Sequence, residues 1–215
     1  MGTFMRRQSL ALSLLISLAP STFAASSVDL SVTGLIVPSA CTPTLSQGGV
    51  VDYGKLAAKD LSADSSTWLP PVTLQLGVNC NGPTLFALRG RDNRAGSAHL
   101  DGYEHGYGLG LINGDQRLGT YLLSVRKPVS AGVTLHPLMS LDAGQSWWQL
   151  PEGAWLSALQ MTAFGNDESG QAAPVALQTV TSELHVDTAI APTSGLTLTE
   201  EVALDGSATA ELFYL

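Results

Sequence analysis

The chain has 215 residues, with 22 glycines and 11 prolines set against only 10 basic and 18 acidic side chains. An apolar fraction of 45% is enough for a packed core and excludes a disordered chain. A formal charge of −8 makes nucleic acid and anionic membrane surfaces poor partners, and the absence of any sustained heptad argues against coiled coils and long helical bundles.

At the N-terminus, Arg6 and Arg7 precede an almost unbroken apolar run over residues 10–19, which Pro20 ends. Thr22 and Ala24, on either side of Phe23, then supply the small residues of a cleavage site. This layout predicts a secretory signal peptide over residues 1–24. A membrane anchor would need roughly 20 apolar residues, about twice the run present. The mature chain then keeps 8 basic and 18 acidic residues, and no second apolar run in it is long enough to span a bilayer. The expectation is an exported protein with no membrane span in its mature form.

Beyond the cleavage site the apolar period is two. Val28, Leu30, Val32, Gly34 and Ile36 alternate with Asp29, Ser31, Thr33 and Leu35, which predicts a strand carrying four large apolar residues on one face. Cys41 and Cys80 follow as the only cysteines. An oxidising compartment favours joining them, free thiols or half a metal site being the alternatives. Val72, Leu74, Leu76, Val78 and Cys80 form a second alternating run.

Turn signals then punctuate the chain at Asn81-Gly82-Pro83, Asn113-Gly114-Asp115, Asp142-Ala143-Gly144, Pro151-Glu152-Gly153 and Asp205-Gly206. Between them, His99, Asp101, Glu104 and His105 fit an exposed polar loop better than a metal site, since no ligand-spacing motif matches. Asn166 to Gly170 fits a loop tip in the same way. Of the neighbours Trp147 and Trp148, at most one can stack on a sugar, because adjacent strand residues face opposite sides. Trp68 and Trp155 are expected in the core. Residues 155–164 read as a short helix or a buried strand. Leu184, Val186, Thr188 and Ile190 alternate again, as do Ala208, Ala210, Leu212 and Tyr214 in the last strand. No nucleophile elbow, phosphate loop, metalloprotease motif or grouped triad is present, so no catalytic, metal or cofactor residue is assigned. Many short strands with frequent turns predict one all-β antiparallel sandwich domain.

Residues 28–41 resemble the N-terminal extension of chaperone–usher pilins, the fimbrial subunit family. Gly34 stands seven positions before the first cysteine, as in those extensions, and Cys80 ends an alternating strand about forty residues on. The last strand carries the family's penultimate tyrosine at Tyr214, after a glycine at Gly206. Residues 89–173 match no motif of the family, and the domain is longer than a typical pilin, as in a longer fimbrial-like branch.

The resemblance implies an incomplete immunoglobulin-like sandwich over residues 39–215, preceded by a donor strand over residues 25–38. In such a domain Ala208, Ala210, Leu212 and Tyr214 edge an apolar groove. A periplasmic chaperone fills that groove first, and the donor strand of a neighbouring subunit replaces it at an outer-membrane usher. Val28, Leu30, Val32 and Ile36 would be the donor side chains, contributing on the order of 10 kcal/mol before ordering costs. Gly34 would meet a shallow groove position. The expected role is a structural subunit of a surface fimbria that supports adhesion. The alternative is a secreted single-domain carbohydrate-binding β-sandwich.

Overall fold

The computed structural model describes Val28 and residues 30–33, 40–99, 104–166 and 172–215. Residues 1–36 and 37–215 form separate units. In the larger one the strands are, in order, β1 (Cys41–Leu45), β2 (Thr67–Trp68), β3 (Val72–Thr84), β4 (Phe86–Asp92), β5 (Tyr107–Gly108), β6 (Leu111–Ile112), β7 (Gln116–Arg117) and β8 (Gly119–Ser130). There follow β9 (Val133–Thr134), β10 (His136–Ser140), β11 (Trp148–Gln149), β12 (Ala154–Trp155), β13 (Met161–Asn166), β14 (Ala173–Pro174), β15 (Leu177–Ile190) and β16 (Ala208–Tyr214). Three short 3-10 turns accompany them, and no α-helix occurs among the described residues.

The strands form two facing antiparallel sheets. One runs β1-β3-β15-β8-β12, with β2, β5 and β9 pairing at its ends; the other runs β11-β10-β13-β4-β16, with β14 beside β13. Strands β6 and β7 make a small hairpin whose turn residues Asn113 and Gly114 have φ of 51° and 94°, as a tight hairpin turn needs. This is the all-β sandwich that the period-two pattern predicts.

Alternation decides which face each strand buries. In β3, Leu74, Leu76, Val78 and Cys80 are buried while Thr73, Gln75 and Asn79 are exposed. Their partners across the sandwich include Phe86 and Leu88 of β4 and Phe164 of β13, with Phe86 and Phe164 meeting edge to face at 6.2 Å. Each such side chain contributes about 1.5–3 kcal/mol when fully buried. A smaller cluster of Ala87, Leu138, Met161 and Ala163 covers the outer face of the second sheet, under Trp147, Ala172 and Phe213.

Two local expectations change, and a third, left open between two elements, is resolved. Asn81-Gly82-Pro83 is not a turn but part of β3. There the ladder to β15 shifts register, from Thr84 opposite Leu177 to Asn79 opposite Thr179, and the irregularity accommodates a proline that cannot donate. Residues 155–164, which allowed either a helix or a strand, are strand at both ends, finishing β12 and entering β13, with a turn at residues 158–159 between them. Trp68 lies on β2 at the sheet's edge with 48% of its surface exposed, and so stands outside the core; Trp155 is only partly buried.

Candidate functional site

The strand order leaves β1 at one edge of the first sheet and β16 at one edge of the second. At one end these edges touch: the Cys41 backbone N–H donates to the Tyr214 hydroxyl at 3.1 Å. Past Leu45 the chain turns away through Gln47, Gly48 and Gly49, all with positive φ, and residues 50–57 run on without joining a strand. The sandwich is therefore open along this side, over a cavity of about 920 Å³. Its floor is apolar, made by Leu74, Leu109, Leu118, Tyr121, Leu123 and Val186.

Strand β16 forms one wall. It pairs with β4 from Ala208 opposite Asp92 to Tyr214 opposite Phe86, and its other edge carries no ladder among the described residues. Ala210 and Leu212 pack on the main core, and Ala208 and Ala210 line the groove. Phe213 points the other way, onto the outer cluster, with the Arg89 guanidinium 4.4 Å above its ring. Opposite Ala210, position 90 must be glycine, because a Cβ there would overlap the Tyr107 hydroxyl, which donates to the Leu156 carbonyl at 2.6 Å. Tyr107 stacks on Tyr121 of the groove floor at 5.1 Å, and burial pushes both phenols well above their usual range.

Two lips border the opening. The first is the stretch after residue 50, tied to the first sheet by the Tyr53 hydroxyl donating to Thr188 Oγ1 at 3.0 Å. The second is the connection from β15 to β16, of which residues 198–204, 206 and 207 line the groove. Its start is held by Gln116, whose Oε1 accepts from the Thr197 N–H at 2.8 Å, and by Asn113, which donates to the Thr197 carbonyl at 2.9 Å. Its end is held by Arg94, whose Nη2 and Nε donate to the Asp205 carboxylate at 2.7 and 2.9 Å. The Arg94 hydrogen bond holds the Asp205 carboxyl below the usual carboxylate range. Gly206 then packs so closely that a Cβ would lie 2.9 Å from the Tyr121 ring. Between the lips, Lys55 Nζ meets Glu201 Oε1 at 3.1 Å.

The structure brings together some of the predicted residues. Cys41 and Cys80 form a disulfide and are directly opposite partners in the β1–β3 ladder. Ala208, Ala210, Leu212 and Tyr214 lie along the edge strand; Ala210 and Leu212 are partly buried against the main core, whereas Ala208 and Tyr214 are exposed. Val28, Leu30 and Val32 carry no strand assignment and are 93%, 87% and 88% exposed. Gly34 and Ile36 lie outside the described residues, as do Asp101 and residues 167–170. His105 stacks on Trp155 at 5.9 Å and bonds Ser157 Oγ at 2.9 Å. Trp147, just before β11, is partly buried on the outer cluster, while its neighbour Trp148 within β11 is exposed. Sequence reasoning missed the second lip. Its only signal is the alternation of Leu196, Leu198, Val202 and Leu204 around Glu200, between a turn at Thr193–Gly195 and the Asp205-Gly206 turn.

Comparison with known proteins gives distant similarity. The pattern of a family described as "Protein of unknown function (DUF1120)" matches residues 30–112, a stretch that includes Leu30, Val32 and both cysteines. The chain is 26% identical over 226 positions to "Protein GltF" of Escherichia coli (strain K12), covering 87% of this chain and 88% of that protein. It is 24% identical over 226 positions to "Uncharacterized protein YhcF" of the same organism, covering 92% and 94%.

Proposed function

We propose that the chain is a structural, non-catalytic subunit of a surface fimbria, exported through the periplasm and assembled by donor-strand exchange. The observation that carries this reading is the groove of about 920 Å³, apolar at its floor and bordered by an edge strand with no second ladder partner among the described residues. Burial of that floor by an added strand is favourable, and exposed strand edges attract such strands. An alternating segment, highly exposed at Val28, Leu30 and Val32, supplies a strand of the right kind from the same sequence. A periplasmic chaperone, an outer-membrane usher and neighbouring subunits would be its partners.

Reach favours a second copy as the acceptor. Residue 41 is anchored beside Tyr214, so residues 28–36 entering their own groove from that end would run parallel to β16. To run antiparallel they would have to enter from the Ala208 end, roughly 20 Å away along a seven-residue strand. The link from residue 36 to residue 41, five residue steps, spans at most about 18 Å. Antiparallel pairing, the more stable arrangement per residue, is open only to the segment of another molecule.

Deleting residues 25–34 tests the reading. The subunit should keep its thermal unfolding transition and still accept a strand, but should terminate chains, so that the ladder of heat-sensitive, detergent-resistant oligomers on an unboiled gel disappears. Gly34→Leu should act similarly but more weakly, through a local clash. An intact ladder, or global unfolding of the deleted protein, would overturn it.

A further inference from the structure

Resting on the reading of the groove as a strand acceptor, we propose that residues 198–204 are a displaceable lid over it, hinged at Thr197 and Asp205 and latched by the Lys55–Glu201 ion pair. Both hinges are dense in contacts: Gln116 and Asn113 hold Thr197, while Arg94 and the Leu109 carbonyl hold Asp205. The seven residues between them differ sharply. Among the described residues their hydrogen bonding is confined to the Lys55–Glu201 contact, whose side chains are 91% and 92% exposed. A segment fixed at two ends and free between them opens locally at low cost.

The lid also occupies the space that a donor strand needs. Leu198, Val202 and Leu204 line the groove; Leu198 is half-buried there, while Val202 and Leu204 keep 37% and 36% of their surface exposed. They recur every second or fourth residue, as the apolar side chains of an incoming strand would. The lid therefore shields part of the floor in the empty subunit and competes with the strand that enters. The latch joins the two lips across the opening, so releasing Glu201 from Lys55 frees the path. Entry thus requires an opening step, and its rate depends on that latch.

The test uses the full chain with Lys55→Cys and Glu201→Cys, joined by a short bis-maleimide, against the same protein capped with N-ethylmaleimide. The probe is a fluorescent peptide of residues 25–38 with Asp29→Asn, which removes its one charged side chain, and the readout is its association rate. The cross-linked protein is expected to bind at least about tenfold more slowly than the capped one, with both retaining the wild-type unfolding transition. Glu201→Gln in the natural background is a second, milder variant. It should accelerate association by about 1.4- to 5-fold, the effect of one exposed ion pair, and added salt should bring the wild type toward it. Equal rates in the cross-linked and capped proteins, or no acceleration in Glu201→Gln, would overturn the lid while leaving the groove as an acceptor. Failure of every form to bind the peptide would overturn the acceptor reading itself, and the lid with it.

Discussion

Leu30→Asp separates strand donation from ordinary core packing, because the two readings assign opposite consequences to one side chain. In the free subunit Leu30 is 87% exposed, so the substitution removes almost no buried surface from the fold. Its stability cost should stay within about 0.5 kcal/mol, which for a domain of this size moves the thermal midpoint by no more than about 2 °C. In a neighbour's groove the same side chain would be fully buried, at about 1.5–3 kcal/mol, so its loss weakens donation by roughly 10- to 160-fold. A carboxylate brought against the apolar floor adds a desolvation cost on top of that. The assay pairs thermal unfolding of the purified subunit with the oligomer ladder on an unboiled gel. The expected result is an unchanged midpoint and a collapsed ladder. A midpoint lowered by about 4–20 °C, the range for breaking a core leucine, would refute the reasoning, as would a ladder of undiminished length.

Other outcomes follow from the same geometry. Reducing the Cys41–Cys80 bridge, which closes a separation of 39 residues, should destabilise the domain by about 4 kcal/mol in denaturant titration; a loss below about 1 kcal/mol would mean that β1 is held as firmly without it. Gly90→Ala forces Tyr107 off the Leu156 carbonyl and should cost about 1–3 kcal/mol, whereas Gly195→Ala, with open space around its Cβ, should stay within about 0.5 kcal/mol; equal effects would contradict this. Asp142 accepts hydrogen bonds from the Ser146 hydroxyl and N–H, the Ser140 hydroxyl and the Gln145 N–H, which hold its carboxyl at about 2, below the ordinary 3.8. A lowered pKa stabilises the loop above the ordinary value, and that contribution fades as pH falls through about 2. The Trp147 indole N–H, bonded to the Gly144 carbonyl, should therefore shift in NMR spectra between pH 4 and 2, and Asp142→Asn should abolish that transition.

How much of this was legible in the sequence depends on the range of the interaction. Alternation in residues 72–80 set both the strand and its buried face, because a half-buried sheet imposes a period of two on any sequence that folds into it, whereas in residues 208–214 it marked only the strand, none of whose side chains is fully buried. The disulfide followed from having only two cysteines together with the signal-peptide-like N-terminus, from which an oxidising destination was expected. The Asn81-Gly82-Pro83 signal misled because a β-bulge uses the same residues as a turn, and only the partner strand β15 decides between them. Trp68 misled because size suggests burial, whereas a two-residue edge strand offers little to bury against. The lid escaped because each of its hinges is a long-range contact. Arg94 meets Asp205 across 111 residues, and Asn113 meets Thr197 across 84.

Two features of the larger unit are costly if it works alone and useful if it works in a chain. An apolar floor left open beside an edge strand invites association, and natural sheets commonly blunt such edges with charge, proline or a covering loop. Here the edge strand offers alanines at positions 208 and 210, which leave room in the groove, while the connection that borders it is held at its two ends and, between them, by the exposed Lys55–Glu201 pair. The acidic side chains of Asp52, Glu200 and Glu201 stand on the lips rather than on the floor, so charge surrounds the opening without filling it. In a closed carbohydrate-binding sandwich, whose strands all pair internally, a strand of the same chain would be expected in that position. A strand acceptor needs all of it: a vacancy shaped for alternating side chains, a temporary cover, and an edge that pairs with only one newcomer at a time.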